Sequence, residues 1–195
     1  MKKADRKTIE SPCIAVHLQS GSLLALRREL QIVLKQLGVE TERTEMAPHV
    51  SLAYAKGEAG VCNIQRILTE IQELDAGEGF CAKAVGFAVL PGVTTPYDYL
   101  AIEVEPSEWL MKANAIVRKH LRVRNFEGGF KNHISILRIP KGALKAETAK
   151  NLVRELNASL LAARALGMTP KWTGKCLAVS EKTRRIRYKR PLRAA

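Results

Sequence analysis

At 195 residues the chain is long enough for one domain, or one domain of two lobes, with a proper hydrophobic core. Its 46% hydrophobic and 26% charged residues exclude general disorder, and apolar runs such as Phe87-Ala88-Val89-Leu90 are far too short to span a bilayer. The formal net charge of +13 favours a polyanionic partner, and it is uneven: Lys182, Arg184, Arg185, Arg187, Lys189, Arg190 and Arg193 form a basic C-terminal segment over 182–195 with no acid among them.

The opening Met1-Lys2-Lys3-Ala4-Asp5-Arg6 lacks the apolar stretch of a secretory signal, so a soluble, cytoplasmic protein is expected. Cys13 to Leu18 alternates as a first strand, with Ile14, Val16 and Leu18 on one face and His17 on the other. Leu23, Leu26, Leu30, Val33 and Leu37 then recur at helical spacing up to Gly38, a natural stop. A strand opens at His49 and runs through Tyr54, and Ile64, Ile67, Leu68, Ile71 and Leu74 make a second amphipathic helix. Strands follow at Phe80 to Leu90 and Tyr99 to Val104, joined by a loop from Pro91 to Tyr97.

A third helix begins near Ser107 with Leu110, Ala113, Val117 and Leu121 on one stripe, and places His120 on its exposed side. After a Gly128-Gly129 turn comes a strand at His133, then a long helix carrying Leu152, Leu156, Leu160 and Ala163 and ending at Gly167. Short strands at Lys175 to Ser180 and Ile186 to Tyr188 close the chain. The string β-α-β-α-β followed by β-α-β-α-β-β is nearly one unit twice. It predicts an α+β fold, duplicated and two-lobed, with antiparallel sheets around a central groove and helices outside, all within a single domain over 1–195. Cys13, Cys62, Cys81 and Cys176 show no metal-ligand spacing and read as small buried thiols.

The chemistry sits in a repeated pattern, His49-Val50-Ser51-Leu52 and His133-Ile134-Ser135-Ile136, whose copies start 133 − 49 = 84 residues apart. A strand has a period of two, so in each copy the imidazole and the hydroxyl emerge side by side on one face while the aliphatics take the other. Two imidazoles across a cleft supply one proton acceptor and one proton donor near neutral pH, with two hydroxyls to hold an anion. That suits phosphodiester chemistry with no metal and no cofactor.

The paired motifs resemble the signature of the two-histidine phosphoesterases, a family that includes bacterial 2′-5′ RNA ligase-like (LigT-like) proteins, plant and yeast cyclic phosphodiesterases and several 2′-5′ oligoadenylate-degrading proteins. The approach Phe130-Lys131-Asn132-His133 is similar to the family's second motif, with Asn132 in place of a frequent Pro, while Pro48 precedes His49. The resemblance implies the same two-lobed fold, catalysis by His49 and His133, and phosphate held by Ser51 and Ser135. His133 is written as general base and His49 as general acid, although exchanging them leaves the sequence argument unchanged.

Aromatics at the groove rim would stack on bases. The candidates are Tyr97, Tyr99, Trp109 and Phe130, with core packing the alternative for each. Lys131 and Arg138 could reach phosphate or lie as solvated charges, and His17 could look into the groove. The expected substrate is an RNA end or nucleotide bearing a 2′,3′-cyclic phosphate, acted on by a monomer. Hydrolysis of 2′-5′ oligoadenylates or cyclic oligonucleotide signals, as in phage-encoded relatives, is an alternative, and so is a non-catalytic RNA-binding module. No phosphate-binding loop with its Lys is present, which argues against ATP-dependent ligation.

Overall fold

In the computed structural model, residues 8–19, 21–42, 47–74, 80–92, 95–124, 131–181 and 186–192 are described. Nine strands and four helices follow in chain order: β1 (Thr8–Glu10), β2 (Cys13–Leu18), α1 (Gly21–Gln36), β3 (His49–Tyr54), β4 (Glu58–Gly60), α2 (Val61–Leu74), β5 (Cys81–Leu90), β6 (Tyr97–Val104), α3 (Glu108–His120), β7 (His133–Pro140), α4 (Ala146–Ala165), β8 (Lys171–Ser180) and β9 (Ile186–Pro191). The expected α+β class holds: β1 and β4 make a small two-stranded sheet, and every pairing is antiparallel.

The main sheet runs β2-β3-β7-β6-β5-β8-β9, and β8 also pairs with β2, so six strands close on themselves with β9 hung on the outside of β8. One lobe is built on β2, β3, β8 and β9 and the other on β5, β6 and β7. The last two strands thus return to the N-terminal side rather than completing the second half. β8 is also longer than its sequence suggests: Gly174 to Ser180 pairs with β2 and Lys171 to Thr173 with β5.

Local chemistry explains where the helices begin and stop. Ser107 caps α3 by accepting from the Leu110 N–H at 3.2 Å, and Arg118, Lys119 and His120 complement its C-terminal dipole. Gly38 and Gly167 adopt φ of +75°, the left-handed turn that ends α1 and α4, with the Val39 and Met168 N–H groups reaching back to Leu34 and Ala163. The inward face of α1 is Leu23, Arg27, Leu30 and Leu34, rotated from the predicted stripe; Val33 and Leu37 are exposed. Val16, Val50, Ile102 and Ile134 are fully buried on the core face of the sheet, each contributing roughly 1.5–3 kcal/mol by leaving water.

Two smaller expectations change. Cys62 is exposed on the first turn of α2 and the other three cysteines are partly exposed, so they are not a set of core thiols. His120 is not simply solvated: its Nε2 lies 2.7 Å from Glu70 Oε1 between α2 and α3, leaving the side chain 11% exposed. The basic C-terminal segment is partly structural, since β9 is a sheet strand and Arg190 bonds Thr69 and Gln72 on α2.

Candidate active site

The two motifs open β3 and β7, and the strands beside them match position by position. Along β3 the partners on β2 are His17 to His49, Val16 to Val50 and Ala15 to Ser51; the next pair is Ile14 to Ala53, which makes Leu52 an extra residue. Along β7 the partners on β6 are Glu103 to His133, Ile102 to Ile134 and Ala101 to Ser135; the next is Leu100 to Leu137, which makes Ile136 extra. Each motif therefore ends in a β-bulge at the same position. The motif strands meet at Val50 and Ile134, a register that sets His49 opposite Ser135 and Ser51 opposite His133, all on the face away from the core.

A bulge resets the in-out alternation and leaves backbone groups off the ladder. Three residues past each serine, Tyr54 and Arg138 thereby come into phase with the motif side chains: Tyr54 Oη sits 2.9 Å from Ser51 Oγ. Both bulge carbonyls have helix donors. Arg27 of α1 donates its Nε to Ile136 O at 2.9 Å, and Asn114 of α3 donates its amide to Leu52 O. Each helix thus secures the motif strand of the opposite half.

The imidazoles are preset alike. His49 Nδ1 lies 3.0 Å from Ala47 O and His133 Nδ1 lies 2.8 Å from Lys131 O, and a carbonyl only accepts. The proton is fixed on Nδ1, and Nε2 is the nitrogen that exchanges protons with a substrate. Burial holds His133 below the ordinary imidazole range, opposed by the Lys131 carbonyl and the Glu103 carboxylate. The serines differ. Ser51 is buried between Tyr54 and the Cys13 thiol, which lies 3.7 Å away, whereas Ser135 is half-buried with no hydrogen-bonding partner among the described residues. Burial pushes the Cys13 thiol up to about 11 and the Tyr54 phenol well above its usual value, so both are neutral donors at pH 7.

No protein-family model matches the sequence, and a search of the curated proteins finds no relative. Solved structures do match. Usb1 of Kluyveromyces marxianus with uridine monophosphate aligns over 96% of this chain and 99% of its own at a TM-score of 0.57 and 16% identity. TT0787 of Thermus thermophilus aligns over 94% and 98% at 0.58 and 18% identity. LigT of E. coli complexed with 3′-AMP aligns over 95% of both chains at 0.50 and 13% identity. The chain has the LigT-like fold.

On this LigT-like framework the predicted residues fall into two groups. His17 lies beside His49, ring centroids 5.8 Å apart, and Tyr99 pairs with Arg138 in register and lies within electrostatic reach of Tyr54. Tyr97 bonds Glu42 at the outer end of β6, away from the motif rung. Trp109 is a correction: its ring stacks on the buried Phe80 at 5.0 Å and belongs to the core, where the apolar start of α3 carries it. Lys131 contributes its carbonyl while its side chain stays exposed, and Phe130 lies outside the described residues. Tyr54, Glu103 and Cys13 were not read as site residues. For Tyr54 the bulge explains why, because counting twos from Ser51 sends it to the wrong face. The matching bulge of β7 turns Arg138 from a surface charge into a half-buried side chain in phase with His133. Among the described residues no three His, Cys, Asp or Glu side chains gather as a metal site, and no helix is long and apolar enough to cross a membrane.

Proposed function

We propose that this chain is a phosphodiesterase of the two-histidine type that opens 2′,3′-cyclic phosphates on RNA ends or nucleotides. The observation that carries this reading is the pair of equivalent imidazoles, each donating its Nδ1–H to a backbone carbonyl and set on one face around a single rung, each opposite the serine of the other motif. In-line displacement at phosphorus needs proton removal on one side and proton donation on the other, and two imidazoles presented by Nε2 supply both.

Ser51 and Ser135 would donate to the non-bridging oxygens, where charge develops. Arg138, on the same face, adds a fixed positive charge suited to a phosphate. Tyr54 and Tyr99 offer rings on which a base can stack whatever its identity. Support for a nucleotide comes from structures of the same fold that hold uridine monophosphate and 3′-AMP, and from the net charge of +13. The proposed enzyme works as one 195-residue domain without a metal.

The test is turnover in EDTA of a 2′,3′-cyclic-phosphate RNA, a 2′-5′ oligoadenylate and 3′-5′ cyclic dinucleotides by the parent protein, His49→Ala and His133→Ala. The cyclic-phosphate RNA should be opened, and each substitution should remove about 10²–10⁴ of the rate. Preference for another member of the panel would move the substrate assignment to it. Rates indifferent to both histidines, or no cleavage with RNA affinity retained by both variants, would leave an RNA-binding module.

A further inference from the structure

The two motifs share a backbone arrangement, yet their serines have different neighbours. Ala15 is the cross-strand partner of Ser51 and Ala101 that of Ser135. Three residues beyond each serine the matching pairs are Cys13 with Tyr54 and Tyr99 with Arg138. Only the first pair reaches its serine. Tyr54 Oη stands 2.9 Å from Ser51 Oγ, and the Cys13 thiol donates to the same oxygen at 3.7 Å, with Ser180 of β8 on its other side. Ser51 is 5% exposed, whereas Ser135 is half-buried and has no hydrogen-bonding partner among the described residues.

A serine hydroxyl has one proton to give and two lone pairs to receive with. When thiol and phenol both donate to Ser51 Oγ the lone pairs are filled, and the single proton is left for an acceptor outside the trio. Donors turned on an oxygen also polarise its own O–H and strengthen the bond that it gives. Both neighbours have protons to donate, because burial pushes the Cys13 thiol up to about 11 and raises the Tyr54 phenol too.

We propose that Tyr54 and Cys13 are positioning residues that hold Ser51 as a directed donor to a non-bridging phosphate oxygen, while Ser135 meets the phosphate without such support. This deepens the phosphodiesterase reading above, on which it rests. With the groove empty, Ser51 can give its proton to the phenol. An arriving phosphate oxygen takes that proton instead, and the phenol turns its own toward Oγ. Charge that builds on the phosphate oxygen in the transition state then meets a donor whose place is already fixed.

Calorimetric titration with 3′-AMP tests the arrangement without relying on turnover, using the parent, Ser51→Ala, Tyr54→Phe and the double variant. Tyr54→Phe keeps the ring and removes only the hydroxyl. Ser51→Ala should weaken binding about tenfold, the scale of one hydrogen bond to a charged group. Tyr54→Phe should weaken it severalfold in the parent and in Ser135→Ala, but not in Ser51→Ala. Cys13→Ala should weaken binding and Cys13→Ser restore it, since a hydroxyl replaces the thiol as donor. The same dependence on Ser51 should appear in kcat/KM for the 2′,3′-cyclic-phosphate RNA. A loss from Tyr54→Phe that is equal with and without the Ser51 hydroxyl overturns the proposal. So does Ser51→Ala binding 3′-AMP as the parent does, which would mean that the serine's proton stays inside the trio, and so does a parent that binds no 3′-AMP. Coupled losses in a protein that cleaves nothing would leave the positioning of Ser51 standing and remove only the phosphodiesterase reading.

Discussion

His17 makes folding sensitive to acid. In the unfolded chain it titrates near 6.5 and in the fold near 4, so between those values the unfolded state binds the extra proton. Stability is therefore complete above about pH 6.5 and is lost as the pH falls through this window toward 4. His133 is shifted in the same direction by its own burial and adds to the slope. For a side chain this buried the loss attributable to His17 is about 2–3 kcal/mol at pH 4.5. Urea unfolding at pH 7 and 4.5 should show the parent losing that much more than His17→Gln, and equal losses in the two proteins would mean that His17 is not held neutral in the fold. The same burial keeps an uncharged ring against His49 under the conditions in which the site would work.

At the scale of an element the decisive device is the bulge that ends each motif strand. Leu52 and Ile136 are single extra residues, and their carbonyls, turned off the ladder, are taken by Asn114 and Arg27. Replacing Arg27 by Leu removes the donor to a buried carbonyl, which should cost about 1–3 kcal/mol in urea unfolding and slow turnover by loosening the strand that carries His133 and Arg138; unchanged stability would show that the bulge needs no such support. The motifs themselves were legible because a strand's period of two follows directly from the backbone, so His49 with Ser51 and His133 with Ser135 could be placed on one face from spacing alone. The bulges were not legible. One inserted aliphatic within Leu52-Ala53 or Ile136-Leu137 looks like more core strand, yet it decides that Tyr54 and Arg138 come into phase with the motif side chains. Arg27 was missed for a related reason: a charged residue between Leu26 and Leu30 reads as helix surface, and only the orphaned carbonyl of a distant bulge explains its burial. The three-residue strands β1 and β4 carry too few alternations to give a periodic signal.

Across the whole molecule the halves are interlocked rather than joined side by side. α1, which follows β2, supports β7, and α3, which follows β6, supports β3. β8 pairs with β2 of one lobe and β5 of the other, so the strand ring closes through the C-terminal segment. A half-molecule would keep its motif strand but lose the donor to its bulge, the rung between Val50 and Ile134, and one edge of its sheet. The duplicated pattern in the sequence could not reveal this exchange, since spacing shows which elements repeat and not which copy they pack on. Unfolding should therefore be a single transition despite the two lobes. Trp109, stacked on Phe80 at the start of α3, and Trp172, which donates to Ser22 from β8, report from different elements. Trp109→Phe and Trp172→Phe, followed separately by fluorescence and by far-UV circular dichroism in urea, should each give coincident midpoints and slopes. Distinct midpoints from the two probes within one variant would show that the lobes melt separately, and the crossed helix contacts would then be too weak to couple the histidines' two strands into one unit.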